Sequence, residues 1–272
     1  MRKKKNWLVT SLLIMGTLLI FFPLYLTINI ALKTPEEMVK PLLYLPDEWR
    51  FQNFLDAIEM TNFFQALSNS FIVTFSVVVL TVLTNSLVSY AIARNMHKKF
   101  YKGLFYYFVS AMFVPFPIIM LPLVRQTAIA GMDNLIGLIF LYIVFQLSFN
   151  VFIYVGYIKS IPVALEEAAV MDGASSWKIF WKVIFPLLSP MNATVAILTA
   201  LYAWNDFMLP LVILTDPEHA TLPLVQYIFQ SEFSTNYNLA FASYLLALLP
   251  MVIVYLIAQK WIISNVTRGA VK

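Results

Sequence analysis

Residues 166–190 read EEAAVMDGASSWKIFWKVIFPLLSP, a polar, helix-competent stretch set between two hydrophobic runs long enough to cross a bilayer. Just upstream, Pro162 suits the first turn of a helix. Residues 163–171 are good helix formers, and Glu166 and Glu167 sit where the helix dipole favours negative charge. Gly173 is placed to end that helix, because glycine tolerates the left-handed conformation of a C-terminal cap. Ser175 or Ser176 can then cap a second short helix, in which Trp177, Phe180, Trp181 and Ile184 recur at i, i+3, i+4 and i+7. Pro186 and Pro190 interrupt the pattern before the next apolar run. The expected product is a helix–turn–helix knuckle projecting from a membrane. Ala168 and Ala169 would give it a small-residue face that a groove in another protein can approach, and Glu166 or Glu167 could pair with a basic residue there. The competing reading is an amphipathic helix lying on the membrane surface, which Lys178 and Lys182 among the aromatics would suit.

Outward from this stretch the chain is overwhelmingly apolar. Of its 272 residues, 61% are hydrophobic and 12% charged, against about 25% charged in soluble domains. The excess falls in six blocks, at about 7–31, 70–93, 103–124, 134–157, 192–214 and 240–263, each near the roughly 20 residues a spanning helix needs. An all-α polytopic membrane protein with six transmembrane helices follows. Pro115, Pro117 and Pro122 predict a kinked or broken third span. The apolar run behind MRKKKNW is too long for a signal peptide and is read as a retained first span. With both termini inside, 14 of the 18 basic residues fall on the inner side, leaving only Lys33, Lys40, Arg50 and Arg125 outside. That asymmetry favours cytoplasmic termini and places the knuckle in the cytoplasm.

Several chemistries are excluded. There is no cysteine, so no disulfide or thiolate site. No phosphate-cradling G-x-x-x-x-G-K-[ST] loop and no H-E-x-x-H metal pair occurs, and His97 and His219 fall on opposite sides of the membrane. Neither catalysis nor a cofactor is expected in this chain. The net charge of +4 lies in short flanks of apolar blocks, a topology signal rather than a nucleic-acid groove. Polar residues at depth are the remaining candidates, since hydrocarbon penalises them. Asp206, beside Asn205, either lines an aqueous pathway or sits near the surface stabilising helix packing. Gln146 and Asn150, one turn apart, are expected to face the bundle interior.

Glu167, Ala168, Ala169, Asp172, Gly173, Ala174, Phe180, Ile184, Pro186 and Pro190 stand at the spacing of the EAA loop. Together with Asn53-Phe54, LSNS at 67–70, SYAIAR at 89–94, Trp204-Asn205-Asp206-Phe207, TLP at 221–223 and the terminal GAVK, they extend a likeness over nearly the whole chain. The chain resembles the smaller permease subunit, of the maltose-transporter type, of bacterial carbohydrate ABC importers, in their multiple-sugar or raffinose-like branch. The resemblance implies a type I importer permease fold in the bacterial cytoplasmic membrane. It implies a second homologous permease, two ATPase subunits that carry ATP and Mg, and an extracytoplasmic sugar-binding protein. Coupling to the ATPase would rest on Glu166, Glu167, Ala168, Ala169, Asp172, Gly173 and Ala174. Arg268, Gly269 and Lys272 of the tail would also reach the ATPase pair, and Gln146, Asn150, Asn205 and Asp206 are the pathway candidates. The expected cargo is an oligosaccharide of raffinose or maltodextrin type.

The expected organisation is an N-terminal span with an extracytoplasmic segment (1–68), a core permease domain (69–264) carrying the coupling loop at 159–190, and a cytoplasmic tail (265–272). Two other classes compete: an ion-gradient-driven secondary transporter and a non-transporting scaffold. The first would call for inverted repeats and more acidic residues at depth; the second leaves the knuckle without a purpose.

Overall fold

The computed structural model describes the backbone of residues 7–231 and 236–270, with side chains throughout these except at 228, 230, 231 and 257–270. Helices α1 (Trp7–Ala31), α2 (Gln52–Met60), α3 (Phe63–Arg94), α4 (Lys99–Ala111), α5 (Phe116–Ile129) and α6 (Leu135–Ile158) precede the knuckle. The knuckle itself is built from α7 (Ala164–Met171), α8 (Ser176–Ile179), a π-helical turn (Phe180–Ile184) and α9 (Phe185–Leu187). Helices α10 (Ser189–Asn205), α11 (Met208–Ile213), α12 (Leu222–Ser231) and α13 (Tyr237–Ala270) follow, and no strand occurs among the described residues.

Among the described residues, four helices are long and apolar enough to span a membrane unaided: α1, α3, α6 and the 237–256 portion of α13. Two bent pairs bring the total to six, α4 with α5 at 104° and the α8–α9 limb with α10 at 75°. The first bend is the broken third span. Pro115 sits extended (φ −65°, ψ 132°) ahead of α5 and Pro117 occupies its first turn, where a proline forbids helical continuation upstream but suits a new start. Pro190 likewise lies in the first turn of α10, at the bend of the second pair.

By contact density the chain divides into two compact units, 1–67 with 222–272, and 68–221. In the first, α13 packs along α1 and α2. Most of α1 is exposed, as a lipid-facing rod would be, and only its last turn is buried. There the Asn29 amide donates to the carbonyls of Leu42 (2.7 Å) and Tyr44 (2.9 Å), pinning the loop that follows. Asn53 donates to the carbonyls of Ala31 and Lys33, both at 2.9 Å, and accepts from Asn238 at 3.3 Å, so one buried amide ties α1, α2 and α13. Within the same loop the Glu37 carboxylate accepts from the amides of Thr34 (3.0 Å) and Asp47 (2.6 Å). The Thr34 amide, with that of Asp47, holds the Glu37 carboxyl below the usual carboxylate range. The tie is therefore intact at neutral pH and is lost as pH falls through that lowered value.

In the second unit the core lies directly beneath the knuckle. Ile92 of α3, Val151, Tyr154, Val155 and Ile158 of α6, and Ile179, Phe180, Ile184 and Leu188 of the returning limb are all buried in one cluster. Withdrawing a side chain such as Phe180, 1% exposed, from water contributes about 1.5–3 kcal/mol. At the opposite end of α3, the Asn69 amide donates to the carbonyls of Glu218 (2.7 Å) and Ala220 (3.0 Å), fixing the turn that follows α11.

Candidate functional site

The knuckle forms for local reasons that can be followed bond by bond. Helix α7 starts behind Pro162, with the amides of Glu166 and Glu167 both reaching the Val163 carbonyl. It ends in a Schellman motif. The Gly173 amide donates to Val170 (2.9 Å), the Ala174 amide to Ala169 (3.0 Å), and Gly173 takes φ +77°. Ser175 then caps α8 through the Lys178 amide at 3.4 Å. From Phe180 to Ile184 the helix widens into a π turn, a device that inserts an extra residue and rotates the faces downstream. Ile179, Phe180 and Ile184 are buried, while Trp177 is 61% exposed. Trp181 packs edge to face on Phe180, with centroids 4.8 Å apart, and lies tilted against Phe185 at 5.0 Å. Tyr154 of α6 donates to the Asn192 carboxamide at 2.8 Å, anchoring the point where the limb turns into α10.

The seven loop residues singled out from the sequence divide into two faces. Glu167, Ala168, Asp172 and Gly173 are exposed, together with Val170 and Met171, the last at 87%. Ala169 and Ala174 are half-buried and pack on the core cluster. Glu166 belongs with the inner group. Its Oε1 receives Arg94 Nε and Nη2, each at 2.6 Å, and its Oε2 receives the Tyr90 hydroxyl at 2.6 Å. Arg94 Nη2 also donates to the Ile161 carbonyl at 3.1 Å. The side chains of Arg94 and Glu166 are 15% and 12% exposed. Glu166 therefore has its basic partner within the chain, and the acidic groups left facing outward are Glu167 and Asp172. The sequence alone presents Arg94 only as an inside charge and part of SYAIAR. The signal available is Tyr90 and Arg94 at i and i+4, a spacing that puts both on one helix face.

The polar residues at depth separate as well. Asp206 ends α10 in an extended conformation (φ −73°, ψ 129°). One of its oxygens accepts from the Met208 amide at 3.1 Å, and the other from the hydroxyl of the fully buried Tyr142 at 2.9 Å. Asp206 therefore breaks the fifth span and ties the break to α6. Asn205 is exposed and donates back to Leu201 in its own helix (2.8 Å). Asn150 is 1% exposed, with no hydrogen-bond partner for its amide nitrogen. Gln146 lines an open cleft of about 580 Å³ beside the α4–α5 break, with Tyr107, Phe116, Phe145, Phe149 and Tyr202. A smaller hollow of about 150 Å³ shares Phe116, Phe145 and Tyr202 and reaches Asp206. Arg268 and Gly269 are described only as helical backbone, and Lys272 lies outside the described residues. Among the described residues, no cluster of His, Asp and Glu able to hold a metal ion occurs.

Broken spans around a cleft, with a buried-core knuckle at one end, are the marks of a membrane-embedded transport subunit. The family described as "Binding-protein-dependent transport system inner membrane component" matches residues 85–268. The chain is 39% identical over 266 residues to the multiple sugar-binding transport system permease protein MsmG of Streptococcus mutans serotype c, covering 96% of this chain and 95% of that one. It is 34% identical to the probable starch degradation products transport system permease protein AmyC of Thermoanaerobacterium thermosulfurigenes, over 98% and 97% of the two chains. Against the melibiose/raffinose/stachyose import permease protein MelC of Bacillus subtilis the identity is also 34%, over 100% and 98%. A solved bacterial ABC transporter that imports the acidic polysaccharide alginate shares the fold, with a TM-score of 0.77 at 22% identity over 96% of this chain and 98% of that one. The chain belongs to the binding-protein-dependent transport inner membrane component family and is a multi-pass permease with the ABC importer fold.

Proposed function

We propose that this chain is one of two related permeases forming the translocation pathway of an ATP-driven importer for oligosaccharides. The observation that carries the reading is the likeness over nearly full length to permeases whose names specify multiple sugars, starch degradation products and raffinose-type sugars. In this reading both termini are cytoplasmic, in keeping with the inward bias of Lys and Arg. An extracytoplasmic binding protein delivers the sugar. The exposed face of the knuckle, with Glu167, Ala168, Asp172 and Gly173, seats in a cleft of a separate ATPase, and Arg268 to Lys272 reach the ATPase pair. The aromatic cleft beside Gln146 forms part of the pathway wall, where rings stack on sugar faces and the amide meets hydroxyls. Asp206 and Tyr142 hold that wall in place.

Uptake of labelled raffinose and maltodextrin by the source bacterium, with and without this chain, tests the proposal. Deletion is expected to abolish uptake of at least one of them, and the chain supplied in trans should restore it. Uptake should fall when ATP is depleted and survive collapse of the ion gradients. Undiminished uptake of both sugars in the deletion strain, or uptake that follows the ion gradient, would count against the proposal.

A further inference from the structure

Glu166 and Glu167 are neighbours in sequence but have opposite surroundings. Glu167 is exposed, whereas both carboxylate oxygens of Glu166 are engaged by residues of α3. The engagement is denser than an ordinary surface ion pair. Arg94 grips the loop at its entry, through the Ile161 carbonyl, and at the first turn of α7, through Glu166. One turn earlier on α3, Tyr90 donates to the same carboxylate, and its ring lies 5.3 Å from Phe180 in the returning limb. The entry, the outgoing limb and the returning limb are thus all held by two residues at the end of one spanning helix. We propose that Arg94, Glu166 and Tyr90 form a latch that makes the last turn of α3 and the knuckle a single rigid body, with Glu166 a positioning residue whose partner lies inside the chain. This rests on the coupling role given to the knuckle above.

Transmission of a push requires such a body. A knuckle hung only on α6 and α10 could be displaced by an ATPase while α3 stayed behind. Charge-assisted hydrogen bonds between partners largely withdrawn from water are the stronger kind, and removing one partner strands the other in a poorly hydrated site. The outward face then receives the push, and the inward face passes it to α3. Glu167 and Glu166 serve these two ends separately.

The test uses the complete transporter, purified through this chain and reconstituted in proteoliposomes, with sugar imported per ATP hydrolysed as the readout. Glu166→Ala and Arg94→Ala are each expected to lower that ratio about tenfold, the scale of a coupling between sites, while ATPase remains bound at wild-type stoichiometry. The double variant should be no worse than either single one. The exchanged pair, Arg94→Glu with Glu166→Arg, should recover part of the ratio. If a single variant fails to accumulate, Glu166→Gln, which keeps the side-chain shape, is read in its place with the same expectation. An unchanged ratio would overturn the latch. Loss of ATPase from Glu166→Ala would also overturn it, by making Glu166 a docking contact, yet would leave the coupling role of the knuckle standing. A wild-type preparation without any ATPase would overturn that role and the latch together.

Discussion

Gly173→Arg is expected to abolish uptake while leaving the chain in the membrane. Folding and docking separate at this position. Gly173 sits at φ +77°, and a side chain there costs roughly 1–2 kcal/mol of backbone strain. A Cβ at this position meets nothing within 4 Å, so no steric clash adds to it. The Schellman bonds that close α7 are made by backbone groups and do not depend on the side chain. Six spans anchored elsewhere will not unfold for that amount. What changes is the tip of the knuckle, where a long cation would project from the same exposed face as Ala168 and Asp172. If that face fills a cleft in the ATPase, an arginine cannot be accommodated. Glu167→Lys reverses the outward charge on the same face and is expected to have the same result. Gly173→Ala carries the strain without the bulk and should retain most uptake. Membrane content by immunoblot and uptake of labelled sugar check all three. Normal uptake in Gly173→Arg or Glu167→Lys would count heavily against the coupling role.

Gly137→Ala should have a large effect of the opposite kind, on folding rather than transport. A Cβ at Gly137 would collide with the Met132 carbonyl oxygen and stand 2.6 Å from its carbon, which is backbone and cannot swing away. The turn has no slack to offer. It is held on one side by the Met132 amide on the Thr127 carbonyl (2.9 Å), with Gly131 at φ +63°. On the other side, Asn134 caps α6 through the amides of Ile136 (3.0 Å) and Gly137 (3.1 Å). Overpacking in a site that cannot yield costs about 3 kcal/mol, so the purified variant should melt several degrees lower and accumulate poorly. Gly103→Ala is the control, because a Cβ there meets nothing within 4 Å, and it should behave as wild type. An unaltered melting temperature for Gly137→Ala would contradict the close approach of this turn to α6.

Features set by near neighbours along the chain are legible from residue types alone. Among the described residues, four unbroken helices and two bent pairs have the length and composition expected of the six apolar blocks. Pro115 and Pro117 announce the α4–α5 break, and the Gly173 and Ser175 caps fall where the residue types put them. Features that depend on residues far apart in the chain are not legible in this way. The helical period places Trp177 on one face with Phe180, yet Phe180 is buried in the core that α3 and α6 complete and Trp177 is largely exposed. The apolar block at 192–214 reads as a continuous fifth span. The Asp206 carboxylate instead caps Met208 and bonds to Tyr142, 64 residues away, and the helix stops at Asn205. Likewise Glu166 can be assigned to a partner protein only so long as Arg94, 72 residues earlier, is out of view. Asn29, Asn53 and Asn69 belong to the same class, because each satisfies carbonyls brought to it by the fold.

The exposed face of the knuckle is expected to seat against an ATPase on the cytoplasmic side. Because the chain has no cysteine, a lone Ala168→Cys gives a single reactive point on that face. Native membranes treated with a bifunctional maleimide should yield one covalent adduct between this chain and a nucleotide-binding subunit, a result that the seating of the exposed face predicts. The same seating predicts no labelling of intact cells by a membrane-impermeant maleimide. Labelling from outside the cell, or cross-linking membranes that hold the assembled transporter without forming that adduct, would contradict it.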